Sequence, residues 1–261
     1  MGDDGRNLDI GERKWRKLVA VIAIFSIGAF LWVFWFQASM LVEMHYSYRH
    51  LPVASMVPVQ LSDRSITSGE GSKLSCFGYE FEIPWQDIDT PNIQRKTMML
   101  IPFRSGLEIL VGHGSTHSLV DTAMESTKTD ARSFRAAYGD QAAQSDYEFL
   151  KLALNATPAG VRLLDSKKDV VRKSTLVLIK VIVVPGDSGI FEVRANEFKG
   201  FQYGDPAKHP KRVTVTLYSA DGGIEFSFSR KDMKPLAISQ ADINRAIQTL
   251  RYNGLAETAQ K

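Results

Sequence analysis

Two histidines and an aspartate stand at a spacing that suits a metal ion. In Gly112-His113-Gly114-Ser115-Thr116-His117, with Asp121 further on, the three side chains recur every four residues. On a continuous helix they would share one face, and two imidazoles with a carboxylate can hold Zn²⁺ or another transition ion with a position left open. The glycines argue otherwise. Gly112 and Gly114 stand where a strand should end and a turn begin, so the expected reading is a polar strand-to-helix loop, with Ser118 and Asp121 capping the following helix. The metal site built on His113, His117 and Asp121 is the alternative.

Other reactive residues form no complete set. Ser115 lies near both histidines in sequence but outside any Gly-x-Ser-x-Gly elbow, and Ser68-Gly69-Glu70-Gly71-Ser72-Lys73 lacks both the Walker spacing and a preceding apolar strand. His45 and His50, with Met40, Met44 and Met56, are soft-metal ligand types, yet they directly follow an apolar run and read as an interfacial stretch. Cys76 is the only cysteine, which excludes an intramolecular disulfide and a cysteine-based zinc site. It reads as a small packed residue. No cofactor and no catalytic residue are expected.

The chain that must position these residues divides unevenly. Its 261 residues carry 32 basic and 29 acidic side chains, but Arg6, Arg13, Lys14, Arg16 and Lys17 all precede an uncharged stretch, so the remainder is nearly balanced. A nucleic-acid partner is not expected. From Leu18 to Val42 no residue is charged, a length that exceeds the ~30 Å hydrocarbon core of a bilayer at ~1.5 Å per residue. The basic flank before it and Glu43 after it put the N-terminus in the cytoplasm and the rest of the chain outside. A cleaved signal peptide would need a shorter apolar region and a better site than Ala38-Ser39-Met40. The expected organisation is a cytoplasmic N-terminus at 1–17, a transmembrane helix at 18–42, a flexible extracytoplasmic stalk at 43–73, a folded domain at 74–253 and a tail at 254–261. Pro52, Pro58 and a Ser/Gly-rich second half make the stalk.

Within the domain, Phe77, Tyr79, Phe81 and Ile83 alternate with polar partners as one strand ending at Pro84. Residues 98–103 and 107–111 form a hairpin across Arg104-Ser105-Gly106. Val213, Val215, Leu217 and then Ile224, Phe226, Phe228 form another across Asp221-Gly222-Gly223, giving an antiparallel sheet covered on one side. Ile190 to Ala195 alternates as a strand. Ser145 with Glu148, and Ser239 with Asp242, mark helix starts; residues 118–138 also read as helical, and 170–184 lean to helix behind Ser166 despite their β-branched content. The sum is an α+β domain, an antiparallel sheet with helices packed on it, behind one transmembrane helix.

The run Gly78-Tyr79-Glu80-Phe81-Glu82-Ile83-Pro84-Trp85 resembles the opening of PsbP-like and DcrB-like domains. Phe103-Arg104-Ser105-Gly106-Leu107-Glu108-Ile109-Leu110-Val111 resembles their second hairpin, and residues 239–252 their closing helix. The resemblance implies an accessory or assembly factor attached to membranes, without a shared catalytic set. Two functions stay open: a non-catalytic interaction or assembly module that contacts membrane lipid through its N-terminal helix and another membrane or envelope protein through its domain, at the cytoplasmic membrane with the domain periplasmic or extracytoplasmic; or a small metal-dependent or ligand-binding enzyme domain using the His113, His117 and Asp121 region.

Overall fold

A computed structural model describes residues 34–48, 50–114, 118–185, 189–220 and 222–254. The expected N-terminus at 1–17, most of the span at 18–42 and the tail from 255 lie outside the described residues. Among those described, no helix is long and apolar enough to cross a membrane. Helix α1 covers 34–47, α2 Pro52–Ser55, and strand β1 Val59–Gln60. There follow β2 (Ser72–Cys76), β3 (Tyr79–Ile83), β4 (Gln94–Arg95), β5 (Met98–Pro102) and β6 (Leu107–Gly114). The helices α3 (Ser118–Thr127), α4 (Ala131–Tyr138), α5 (Asp146–Asn155) and α6 (Lys167–Val183) come next. Strands β7 (Ile190–Ala195), β8 (Phe198–Tyr203), β9 (Arg212–Tyr218) and β10 (Gly223–Arg230) precede α7 (Gln240–Gln248) and β11 (Arg251–Tyr252).

The main sheet has eight strands in the order β1-β7-β8-β9-β10-β6-β5-β4, antiparallel except for the β1–β7 pair. Alternation along β9 and β10 sends Val213, Val215, Leu217, Phe226 and Phe228 to one face, where a second sheet, β11-β3-β2, and α7 cover them. Phe81 of β3 meets Phe226 edge-on at 4.9 Å, and Ile243, Ala246 and Ile247 complete that core. The opposite face is covered over β7 and β8, where Tyr147, Leu150 and Leu154 of α5 bury Ile190, Phe201 and Tyr203. The mixed α+β architecture expected from the sequence is present, but the sheet is covered on both faces.

Local signals fixed most helix ends. The Ser145 side chain accepts from Glu148 N–H, Ser166 from Asp169 N–H, and Ser239 forms a capping box with Asp242. Residues 167–183 are helical despite their Val and Ile, because one stripe (Val170, Ser174, Val177) is buried. The 118–138 stretch breaks at Lys128–Asp130 into α3 and α4, with Asp130 accepting from Ser133 N–H as the new cap.

Two expectations are corrected. The strand read through Cys76–Ile83 is a hairpin: Phe77 (φ 54°) and Gly78 (φ 78°) turn the chain between β2 and β3. Two consecutive positive φ values are the type I′ signature, which a glycine in the second place eases. The segment 43–73 is likewise packed rather than a free stalk. β1 pairs with β7, Leu61 N–H donates to Glu192 O (3.0 Å), and β2 belongs to the second sheet. Asn244 Nδ2 of α7 donates to Asp63 O and Ser65 O (3.0 and 2.8 Å), Arg245 to Thr67 O, and Gln248 to Arg64 O. A Ser/Gly-rich segment without apolar pattern is held when a neighbouring helix supplies donors to its carbonyls.

Helix α1 is fastened to the domain as well. Met44 of α1 is buried, and Phe36, Met40 and Met44 recur at helical spacing in a cluster with Val161, Val170 and Val177. Lys167 Nζ stands 4.8 Å from the Phe36 ring. At the other end of α6, the buried Lys180 ammonium donates to Ala54 O (3.3 Å), Met56 O and Ala156 O (2.8 Å).

Candidate functional site

The face of the main sheet that α5 and α6 leave uncovered forms a cleft of about 400 Å³ over β6, β9 and β10. Its walls are apolar: Met98 and Leu110 from the sheet, Leu119 from α3, Leu150 from α5 and Val183 at the end of α6. Alternation places Tyr203, Thr216, Tyr218 and Glu225 on this face, opposite to the Val215–Phe226 face, so its polar groups gather on the sheet side of the cleft.

His113, the residue before the last of β6, lines the cleft, with its ring 5.4 Å from that of Phe77. His117 lies outside the described residues. Asp121 is exposed in the first turn of α3. His113 is thus in a strand and Asp121 in a helix, and the continuous helical register that would align 113, 117 and 121 does not exist. Among the described residues no three His, Cys, Asp or Glu side chains gather as a metal site. Cys76 is buried at the end of β2 in the second sheet, and burial pushes its thiol up to about 11.

The residue that builds this corner was not singled out from sequence. Asp146, the first residue of α5 and 1% exposed, accepts from Leu119 N–H (Oδ2, 2.8 Å) and Val120 N–H (Oδ1, 2.9 Å). It holds the start of α3 from a distant part of the chain, and its charge suits a helix N-terminus. Only the capping context of Ser145-Asp146 marked it; its partners lie 26 and 27 residues away.

Burial sets the electrostatics. It raises the Glu225 carboxyl, against the hydrogen bond from Thr216 Oγ1 (3.4 Å) and the charge of Arg212, although the cleft stays open to solvent at this side chain. Burial also raises the Tyr218 phenol, with the charges of Asp146 and Glu225 adding to it, and lifts Tyr203 well above the usual phenol range. Both tyrosines are therefore neutral donors. The Tyr203 hydroxyl is buried and has no hydrogen-bond partner among the described residues. A buried O–H without a partner costs about 1–3 kcal/mol, so it is available to an incoming acceptor. The described polar lining consists of His113, Thr122, Asp146, Tyr203, Thr216, Tyr218 and Glu225, so the cleft offers hydrogen-bond donors and two carboxyl groups to an occupant.

No family model matches the chain, and no curated protein and no solved structure matches it significantly.

Proposed function

We propose that this chain is a single-pass protein of the cytoplasmic membrane, with its N-terminus cytoplasmic and its folded domain outside. There it acts as a non-catalytic interaction or assembly module for another membrane or envelope protein. The observation that carries this reading is the uncharged run 18–42 behind Arg13, Lys14, Arg16 and Lys17. The packing of α1 shortens the embedded part. Phe36, Met40 and Met44 are engaged near α6, whose first turn carries Lys167 and Lys168, charges that hydrocarbon accommodates only at high cost. Residues 18–35 would then cross, about 27 Å of helix, close to the ~30 Å core. Trp32 and Trp35 fall at the outer end, the depth that indole rings favour.

A domain fixed to α1 does not swing on a tether; it presents one side to neighbours in the membrane plane. The cleft has the apolar walls that a partner's side chain would fill, and we assign it the partner contact, with Tyr203 and Tyr218 as donors. The experiment is in-cell photocrosslinking from position 110 in the cleft and from exposed Lys234, in the full-length chain. The expected result is a membrane or envelope protein crosslinked from 110 and not from 234. Absence of any adduct from 110, or an equal one from 234, removes the cleft from the contact. A reporter active only outside the cytoplasm, fused after residue 60, tests the orientation independently.

The unpartnered Tyr203 hydroxyl favours a second reading, a small molecule with an apolar body and a hydrogen-bond acceptor held in the same cleft. Native mass spectrometry of the detergent-solubilised full-length chain distinguishes it: a bound small molecule, lost in Tyr203→Phe, supports this reading over the first.

A further inference from the structure

We infer that the rim of the domain at the start of α6, formed by Arg162, Leu164, Lys167 and Lys168, is a contact surface for the headgroup layer of an anionic bilayer, so that the domain rests on the membrane its anchor crosses. This inference rests on the membrane-anchored reading above. Its geometric basis is the course of α1 beside α6. Lys167 Nζ, at the start of α6, lies 4.8 Å from the Phe36 ring near the first described residues of α1, whereas Ala54, which follows α1, is bonded by Lys180 near the end of α6. The two helices therefore run side by side in the same direction. The apolar run precedes Phe36 in sequence, and an anchor that continued α1 toward lower numbers would leave the domain at the end that holds the loop 162–166 and the first turn of α6.

That end carries the chemistry of an interfacial contact. Leu164 is 80% exposed and Trp35 is 70% exposed, among the most exposed large apolar side chains described. A lone exposed leucine is ordinary; one between Arg162 and Lys167-Lys168, beside the exit of an apolar run, is placed to dip among headgroups. The acids of this end are engaged within the domain. Asp165 pairs with Lys173 at 2.7 Å and accepts from Arg162 N–H, while Asp169 pairs with Arg172 at 3.3 Å and accepts from the Ser166 hydroxyl. Arg162, Lys167 and Lys168 are exposed and form no salt bridge among the described residues. Exposed cations without a salt bridge, within a Debye length of the bilayer, attract anionic lipid, and the long lysine stems let the charges stay at headgroup level while their methylenes and Leu164 lie deeper.

The test reconstitutes the full-length chain in nanodiscs of mixed phosphatidylcholine and phosphatidylglycerol, with one environment-sensitive fluorophore per variant. It is attached at Leu164→Cys, Ile182→Cys or Ile24→Cys. Cys76 is buried with a protonated thiol, so it stays unlabelled. Ile182 is 80% exposed near the far end of α6, roughly 22 Å from Lys167 at ~1.5 Å per residue. Lipids bearing a nitroxide near the headgroup should quench the label at 164 several-fold more than that at 182, and mid-chain nitroxides should quench the label at 24. Lys167→Glu with Lys168→Glu should lower the quenching at 164 and leave that at 24 unchanged. Strong quenching at 24 with equal, weak quenching at 164 and 182 overturns the rim contact while leaving the anchor standing. A label at 24 that no lipid quencher reaches overturns the anchored reading itself. Quenching at 164 that is indifferent to the double charge reversal and to removal of phosphatidylglycerol overturns the anionic preference.

Discussion

Replacing Lys180 by Met should release the N-terminal segment from the domain. The side chain is fully buried in α6, and its ammonium donates to the carbonyls of Ala54, Met56 and Ala156. Methionine fills much of the same volume but donates nothing, so three acceptors lose a charged donor, each bond being worth about 1.5–3 kcal/mol. Set against this is the cost of burying the charge, which lowers the Lys180 pKa from 10.5 to about 8 and corresponds to about 3–4 kcal/mol. The balance is a loss of about 1–6 kcal/mol. Because the folded-state pKa lies below the unfolded value, the unfolded chain binds the proton between pH 8 and 10.5 and the folded chain does not. Stability of the wild type should therefore rise with pH through that window relative to the variant, in which the rise is absent. The assay is urea unfolding of the full-length chain in detergent, followed by near-ultraviolet circular dichroism, with proteolysis between residues 49 and 58 as the local readout. An unchanged midpoint together with unchanged protection of that segment would refute the latch.

Phe226→Ala removes a fully buried ring packed edge-on against Phe81 and should cost about 3–5 kcal/mol, whereas Ser227→Ala on the opposite face should cost under about 1 kcal/mol, read from the same denaturation midpoints. A Cβ at Gly200 would stand 1.9 Å from Thr216 O across the β8–β9 pair, so Gly200→Ala should destabilise by about 3 kcal/mol or more; a wild-type midpoint would contradict the strand register. The double change His113→Ala and His117→Ala should leave the metal content of the purified chain unchanged, and one equivalent of zinc lost in that variant would restore the metal site.

How much of this molecule was legible in advance depended on the range of each interaction. The uncharged run at 18–42, the alternation through Val213–Phe228 and the Ser145, Ser166 and Ser239 caps are written in neighbouring residues, because hydropathy, pleat and capping act over a few positions. The same locality misled where a pattern continued across a boundary. Phe77 and Tyr79 keep a period of two through a turn, so the β2–β3 hairpin read as a single strand. Only the tertiary structure decided what lay far apart in the chain. The segment 59–67 became part of the domain because Asn244, Arg245 and Gln248 reach its carbonyls from 178 to 184 residues away, and α1 packs on the domain because α6 offers a matching apolar stripe. The cleft belongs to the same class: Asp146, Tyr203, Tyr218 and Glu225 carry no shared motif, and they meet because sheet order and helix placement leave one stretch of sheet uncovered. Sequence patterns fixed which faces had to be buried; the partners that bury them, and the place where none does, follow from long-range packing that no local window contains.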